Sequence, residues 1–170
     1  EFERTGYYVA ELLAALDVSD RPVVFTYPNA DTHGRLVIER IEAYVRTHSR
    51  AAVAVNLGTQ GYFSLMHHAA AMIGNSSSGI IEAASFQLPV VNIGNRQRGR
   101  MHERNVIDVG HHRDEIVAAV RQATSREFRE NLQGLANPYG DGHAAQRIVD
   151  KLRTVKLNED LLLKRFHDSE

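Results

Sequence analysis

The 170-residue sequence predicts an α/β fold with a doubly wound parallel sheet. Short β-rich runs alternate along the chain with segments whose apolar residues recur at helical spacing. Polar, glycine-containing loops follow the runs. Strands separated by helices of this length pair in parallel, with right-handed crossovers and helices on both faces of the sheet.

Five strands are predicted from the β-rich runs. Pro28 closes the first run, and the polar loop that begins at Leu57 bounds the second. The predicted strands cover residues 21–27, 51–56, 71–74, 89–93 and 105–109.

The helices between and after these strands are predicted from apolar periodicity. In residues 32–48, Val37, Ile41, Tyr44 and His48 recur at helical spacing, with charged residues elsewhere on the surface. The other predicted helices cover residues 1–16, 62–70, 79–86, 113–123 and 142–155.

The two ends of the chain predict how it is organised. Residues 1–16 form a helix without a preceding strand, whereas a doubly wound unit opens with a strand, so we expect a fragment of a longer protein. Residues 1–170 are expected to form a single domain, with a charged helical tail at 157–170. Leu161, Leu162 and Phe166 give that tail an apolar face that needs a partner.

Composition excludes several classes of protein. Twenty basic and 21 acidic residues give a formal net charge of -1, which does not suit a general nucleic-acid binder. The chain has no Cys, and this excludes a disulfide scaffold, a thiolate metal site and a cysteine nucleophile. No apolar run approaches the roughly 18 to 20 residues that span a bilayer. We therefore expect a cytoplasmic protein that binds neither nucleic acid nor membrane.

The sequence offers no pattern for a metal site or for two common catalytic motifs. Nine histidines are present, but neither HExxH nor a ligand set of His and carboxylate at suitable spacing occurs. The adjacent pairs His67–His68 and His111–His112 diverge on any regular element. The GxSxG and Walker motifs are also missing, so a serine hydrolase and a P-loop enzyme find no support. We expect no metal and no cofactor.

Ligands of open parallel sheets bind beyond the carboxyl ends of the strands. The loops that begin at Pro28, Leu57, Asn75 and Gly94 are therefore the candidates, and the Leu57 loop (LGTQG) suggests no chemistry.

The strongest local signal is MIGNSSSGIIE at residues 72–82. Three serines (Ser76, Ser77, Ser78) and Gly79 at a helix N-terminus offer backbone N–H groups, hydroxyls and the positive end of the helix dipole, which suit a diphosphate. Glu82, in the first helical turn, suits two sugar hydroxyls. The alternative is that the serines cap the helix and Glu82 complements its dipole.

Two further loops carry groups suited to anions. In YPNADTHGR (residues 27–35), Asn29 suits a base or phosphate and Arg35 an anion, unless Asn29 forms an Asx turn and Asp31 caps the helix. GNRQRGRMHER (residues 94–104) is basic, and it suits an anion unless it is solvated or paired with acids. The arginines of this second loop are Arg96, Arg98, Arg100 and Arg104.

These runs resemble a known family. GNSSSGIIEAASFQLPVVNIGNRQRGR (74–100), YPNAD (27–31) and NPYGDGHAAQRIV (137–149) are similar to the C-terminal domain of hydrolysing UDP-N-acetylglucosamine 2-epimerases, and the resemblance spans nearly the whole chain. It implies a Rossmann-like, three-layer domain that forms the C-terminal half of a GT-B type enzyme and holds UDP. Non-hydrolysing epimerases carry DSGGxQEE and TERPE motifs, where this chain has NSSSGIIE and NRQRGR.

The resemblance also implies residue roles. Ser76 and Ser77 match the serines that hold the diphosphate, and Glu82 matches the acid that binds the ribose hydroxyls. Asn29 and Arg96 match further nucleotide contacts. Further candidates in the same loops are Asp31, Arg35, Ser78, Gly79 and Arg100.

The family converts UDP-GlcNAc and water to N-acetylmannosamine and UDP at the start of sialic acid synthesis. Its catalytic carboxylates lie in an N-terminal domain, which these 170 residues lack, so we expect the chain to be inactive alone and to need that domain as a partner. The implied mechanism removes the proton at C2, eliminates UDP to give 2-acetamidoglucal, and then adds water with inversion at C2. The resemblance further implies a homo-oligomer for the full-length protein.

Two other functions remain open from the sequence. One is the nucleotide-binding domain of a GT-B glycosyltransferase, which shares the diphosphate-binding helix and the ribose-binding acid. The other is a noncatalytic nucleotide-sugar binding module. The NRQRGR loop and the NPYGDG segment favour the epimerase over the transferase.

Overall fold

Parallel strands and helices alternate along the chain, as the hydrophobic pattern predicts. A computed structural model describes residues 2–28 and 34–163. The strands are β1 (Val23–Thr26), β2 (Ala51–Ala54), β3 (Met72–Gly74), β4 (Val90–Ile93) and β5 (Val106–Val109). The helices are α1 (Thr5–Leu16), α2 (Gly34–Thr47), α3 (Gly58–His68), α4 (Ser78–Ile81), α5 (Arg113–Ala123), α6 (Arg126–Glu130), α7 (Ala144–Thr154) and α8 (Glu159–Leu162). Two 3-10 turns cover Phe2–Arg4 and Ala83–Phe86.

All strand pairs are parallel. β1 pairs with β2, and β3, β4 and β5 form a second sheet in that order. Within the described residues no ladder joins the two sheets. In the larger sheet Gly74, Asn92 and Asp108 lie in register near the carboxyl ends of their strands. The predicted α/β class with parallel strands is confirmed.

One face of the sheets is covered by α1, α2 and α5. Val91 and Ile116, both 0% exposed, centre one apolar cluster between β4 and α5. Leu16, Phe25 and Ile41 centre a second cluster between α1, β1 and α2. Burial of each such side chain contributes roughly 1.5–3 kcal/mol, and α1 packs against both neighbouring helices.

The opposite face of the larger sheet is covered by α3 and the 3-10 turn Ala83–Phe86. Met66, Ala83, Leu88 and Val90 form its buried cluster. β4 is therefore buried on both faces, as expected for a central strand of a parallel sheet.

The connection between β4 and β5, residues 94–105, contains no helix. It is fixed at both ends by buried amides, with Gln97 near its start and Asn105 at its end. The Asn105 Nδ2 donates to the carbonyl of Leu88, at 3.0 Å. Most residues between the two anchors are exposed, including Met101 at 62%.

Two predicted helices differ from the structure. The helix predicted at 79–86 is broken into α4 and a 3-10 turn, which ends at Gln87 with a left-handed φ of 51°. α3 begins at Gly58, four residues before the predicted start, so most of the LGTQG segment is helical. The Asn56 side chain accepts the Gly58 N–H, at 2.8 Å, just before this helix, and the first turn of the helix lacks apolar periodicity.

The chain divides into two compact units, Glu1–Pro138 and Tyr139–Glu170. In the second unit, α7 lies close to its predicted position and its side chains are exposed. Asp141 accepts the His143 N–H at 3.1 Å and pairs with Arg147, which lowers the pKa of Asp141. The predicted tail helix is present as the single turn α8, and Phe166 lies outside the described residues. Among the helices described, none is long and apolar enough to cross a bilayer.

Candidate functional site

The candidate site lies where two neighbouring strands end. Gly74 of β3 is in register with Asn92 of β4, so the loops that follow these strands start side by side. The first of these loops carries the three serines, and the second carries Arg96. The structure therefore brings together the serine and arginine segments that the sequence analysis singled out.

The serine segment is a hydrogen-bonded turn. The Ser76 hydroxyl accepts the Ser78 N–H at 3.3 Å, and the Ser76 carbonyl accepts the Gly79 N–H at 3.2 Å. The Ser77 carbonyl accepts the N–H groups of Ile80 and Ile81. Within the described part of the chain, the N–H groups of Ser76 and Ser77 donate to no protein acceptor. Two adjacent backbone donors are thus available to a ligand.

The helix that follows is too short for the predicted helix-dipole site. α4 has four residues, and the aligned peptide dipoles of a single turn sum to little. Ser77 precedes the helix without a side-chain capping bond, while Ser76 bonds the Ser78 N–H. Of the three serines, Ser76 alone therefore makes a side-chain bond of the kind that the capping alternative predicts.

Gly79 has a packing role in this turn. It is buried, and a Cβ at this position would lie 2.9 Å from Cγ1 of Val90. A glycine lets the turn pack closely against β4, which explains its presence next to the serines.

Glu82 lies at the other end of the turn. It follows the last residue of α4, so the prediction of a carboxylate in the first helical turn was wrong. Its Oε2 is buried and has no hydrogen-bond partner among the described residues. A buried carboxylate oxygen without a donor is unfavourable, so this atom is a ready acceptor for ligand hydroxyls.

Asn137 anchors the same end of α4, and the sequence analysis did not name it as a site residue. Its Nδ2 donates to the carbonyl of Ile81 at 2.8 Å and to Oγ of Ser85 at 2.7 Å. The bond to the Ile81 carbonyl therefore holds the peptide group between Ile81 and Glu82. The only signal in the sequence was the NPYGDG run, which pointed to a family and not to this contact.

The carbonyl of Asn75 connects the two loops. Arg96 donates to it from Nη1 at 3.1 Å, and Gln97 donates to it from Nε2 at 2.8 Å. Arg96 is exposed, whereas Gln97 is only 4% exposed. The sequence analysis found Arg96 but missed Gln97, because a glutamine between two arginines in a polar loop predicts a solvated side chain.

The other arginines of the second loop have different environments. Arg98 and Arg100 are exposed. Arg104 donates from Nε to the carbonyl of Asn131 at 2.9 Å, which gives it a structural role after α6. Arg96, Arg98 and Arg100 therefore remain the basic candidates of the loop.

The loop after β1 is described in part. Arg35 is exposed in the first turn of α2, while Asn29 and Asp31 lie outside the described residues. The Tyr27 hydroxyl donates to Oε1 of Glu42 at 2.6 Å, and this bond raises the pKa of Tyr27.

Two other features bear on what the site can do. The described residues contain no group of three or more His, Asp or Glu side chains that could hold a metal ion. A shallow cavity of about 480 Å³ beside β5 and α5 is lined by Asp108, Glu115 and Gln122, among others, and by none of the predicted site residues.

Comparison with known proteins identifies one family. A family profile described as UDP-N-acetylglucosamine 2-epimerase matches residues 2–153. A GDP/UDP-N,N'-diacetylbacillosamine 2-epimerase (hydrolyzing) of Campylobacter jejuni is 40% identical over 98% of this chain. A UDP-N,N'-diacetylbacillosamine 2-epimerase (hydrolyzing) of Legionella pneumophila is 37% identical over 84% of it. The matched region spans 43% and 36% of these relatives.

A solved structure shares the fold. S. aureus MnaA, solved with UDP, superposes with a TM-score of 0.71 at 20% identity. The match covers 89% of this chain and 42% of that protein. At this identity the likeness shows that the two chains share a fold.

Proposed function

Because this chain belongs to the UDP-N-acetylglucosamine 2-epimerase family, we propose that it forms the UDP-binding part of a hydrolysing 2-epimerase. One observation carries the proposal: the serine turn and Arg96 meet at the Asn75 carbonyl, at the carboxyl ends of β3 and β4. Backbone donors, hydroxyls and a guanidinium at one point form a suitable environment for a diphosphate.

In this proposal Ser76 and Ser77 bind the diphosphate through their N–H groups and hydroxyls. Arg96 supplies the positive charge, and a guanidinium can bond two phosphate oxygens at once. Ser78 has a lesser part, because its N–H already bonds Ser76. Arg100, exposed in the same loop, remains a candidate for a second cationic contact.

Glu82 is proposed to bind the ribose. Its buried Oε2 has no donor among the described residues, and two ribose hydroxyls would provide donors for the carboxylate. Asn29, Asp31 and Arg35 stay proposed contacts from the loop after β1. Gly79 contributes through packing.

The proposed reaction converts a UDP-N-acetylhexosamine and water to the free 2-epimeric sugar and UDP. A proton leaves C2, the bond between C1 and the UDP oxygen breaks, and water then adds a hydroxyl to C1 and a proton to the opposite face of C2. This chain stabilises the departing diphosphate with hydrogen bonds and charge already in place. The acid and base carboxylates are proposed to come from an N-terminal domain.

The substrate is proposed to be UDP-GlcNAc or its diacetamido relative. The names of the Campylobacter jejuni and Legionella pneumophila proteins favour the diacetamido sugar. The product would then supply the synthesis of sialic acid or a related nonulosonate. We also propose a cytoplasmic location and a homo-oligomeric full-length protein.

Titration with UDP tests the nucleotide half of this proposal. Glu82→Ala is expected to weaken UDP binding by roughly ten- to a hundredfold, because hydrogen bonds to a charged group contribute about 1.5–3 kcal/mol. Calorimetry would measure the affinity, with CMP and GDP as competing nucleotides.

Glu39→Ala is the matched control, since Glu39 is exposed on α2. It should bind UDP as the unmodified protein does. Unchanged UDP affinity in a folded Glu82→Ala variant would contradict the ribose assignment. Turnover of UDP-GlcNAc and of its diacetamido relative by the full-length protein would then decide the substrate.

A further inference from the structure

Gln97 is an unusual residue for its place in the chain. Its neighbours Arg96 and Arg98 are exposed, yet Gln97 is 4% exposed. Its Nε2 donates to the carbonyl of Asn75 at 2.8 Å. Its Oε1 is buried and has no hydrogen-bond partner among the described residues.

Only one half of this buried amide is therefore satisfied by the protein. A buried acceptor without a donor lowers stability, and an apolar side chain of similar size would avoid that cost. Packing alone does not account for a glutamine here. The feature that the glutamine adds is its hydrogen bond to Asn75.

That bond fixes the orientation of a peptide group at the site. The peptide between Asn75 and Ser76 is planar and has no cis geometry, so its N–H points away from its carbonyl. With the carbonyl held toward buried Gln97, the N–H of Ser76 points in the opposite direction. Ser76 is exposed, and its N–H has no acceptor within the described part of the chain.

We infer that Gln97 is a positioning residue of the UDP site, which holds the Asn75–Ser76 peptide so that the Ser76 N–H points toward the diphosphate. The inference depends on the proposed function for the identity of the ligand. The restraint on the turn itself does not depend on the ligand, because it comes from the hydrogen bonds that Gln97 and Arg96 donate to the Asn75 carbonyl.

Arg96 is the second donor to the Asn75 carbonyl, and its surroundings differ from those of Gln97. Arg96 is exposed and charged, so in the proposed complex its guanidinium is the group that a phosphate would attract. Gln97 is buried and neutral, so it keeps its hydrogen bond to the Asn75 carbonyl. The Ser76 peptide thereby keeps its orientation when Arg96 changes acceptor.

Gln97→Met tests the inference in the full-length protein. Methionine has a similar volume but lacks both the donor and the unsatisfied oxygen. Amide hydrogen exchange at Ser78 and Gly79, whose N–H groups both bond to Ser76, is expected to accelerate when measured without nucleotide. UDP affinity is expected to fall by about fivefold or more, the equivalent of one hydrogen bond. The affinity for uridine is expected to stay unchanged within error. The melting temperature is expected to stay unchanged or to rise.

Two further variants sharpen the test. Gln97→Leu also removes the donor and adds no charge, so it should reproduce the loss of UDP affinity even if the methionine variant folds poorly. Gln122→Met makes the same change at an exposed position of α5 and should alter neither exchange nor affinity.

The outcomes separate this inference from the proposed function. Unchanged exchange at Ser78 and Gly79 would overturn the inference, whatever happens to UDP. A parallel loss of UDP and uridine affinity with a lower melting temperature would also overturn it, since that is the mark of a merely structural residue. Accelerated exchange in a protein whose unmodified form binds no UDP would support the positioning role and reject the proposed ligand.

Discussion

At the residue scale, the site depends on close contact between the serine turn and β4. Gly79 is the residue of that turn that faces Val90, and the space between them leaves no room for a methyl group. The serines can lie at the strand end only because the next residue has no side chain. Gly79, which has no functional group, thus decides where the serine side chains lie.

Gly79→Ala is therefore expected to destabilise the protein by about 1–3 kcal/mol, because the new Cβ would overlap Cγ1 of Val90 and force β4 or the turn to move. Urea unfolding measures the change. Gly6→Ala is the matched control: in α1 its Cβ would lie 3.7 Å from Leu36, an ordinary contact, and should stabilise by up to about 1 kcal/mol. Equal stabilities of the two variants would show that the contact with Val90 can relax.

Residues of the site differ in how far the sequence predicts them. Ser76 and Arg96 are polar residues in a loop after a strand, and the fold class alone places them at the ligand-binding edge. Gln97 and Asn137 are not predictable in this way. Each acts through a bond to a backbone carbonyl of a segment 22 or 56 residues distant, and that pairing exists only after the chain has folded.

At the element scale, α1 and α2 are joined by a polar cluster remote from the site. The Nε2 of His48 lies 3.1 Å from Oδ1 of Asp17, and the ring of His48 stacks on Tyr44 with centroids 3.7 Å apart. Burial and a hydrogen bond to Asp17 raise the pKa of Tyr44 from 10.0 to about 12. The folded protein thus favours the neutral phenol more strongly than the unfolded chain does.

This shift predicts a pH dependence of stability. The raised pKa of Tyr44 contributes stability that is complete below pH 10.0 and is lost as the pH rises toward about 12. Tyr44→Phe should remove this part of the alkaline decline. The measurement is urea unfolding at a series of alkaline pH values. Tyr7→Phe, which changes an exposed tyrosine, should decline as the unmodified protein does, and a Tyr44→Phe protein with the same decline would contradict the prediction.

The sequence predicts the strands more accurately than the short helices, and the reasons are physical. All five strands of the described residues lie within their predicted ranges, because each belongs to a short, mostly apolar run that is followed by polar, Gly or Pro residues. The helix predicted at 79–86 was wrong in its continuity. Ala83 and Ala84 are nearly fully buried against neighbouring elements. This tertiary packing breaks the helix, and the periodicity of the segment alone does not predict it. α6 was missed because five residues are too few for a repeat.

At the scale of the whole molecule, this chain corresponds to less than half of the relatives it matches. The candidate residues are proposed to bind, orient and neutralise, and the proposal leaves the proton at C2 to carboxylates of an N-terminal domain. The site lies at an edge of the sheet, and the cavity beside β5 and α5 includes neither Ser76 nor Glu82.

The 170-residue chain alone is accordingly expected to bind UDP but not to release it from UDP-GlcNAc. Proton NMR of the sugar and a coupled assay for UDP would follow the reaction, with the full-length protein as the positive control. Release of UDP by the chain alone would show that its own residues complete the catalytic set, and it would reject the division of labour proposed above.

The connection between β4 and β5 also makes the protein a convenient base for a biosensor. Met101 lies between the two buried amides that anchor this connection, a few residues from Arg96, and is 62% exposed. The chain contains no cysteine. A Met101→Cys variant would therefore carry a single thiol for an environment-sensitive dye, attached to a segment whose ends are fixed and whose middle is exposed.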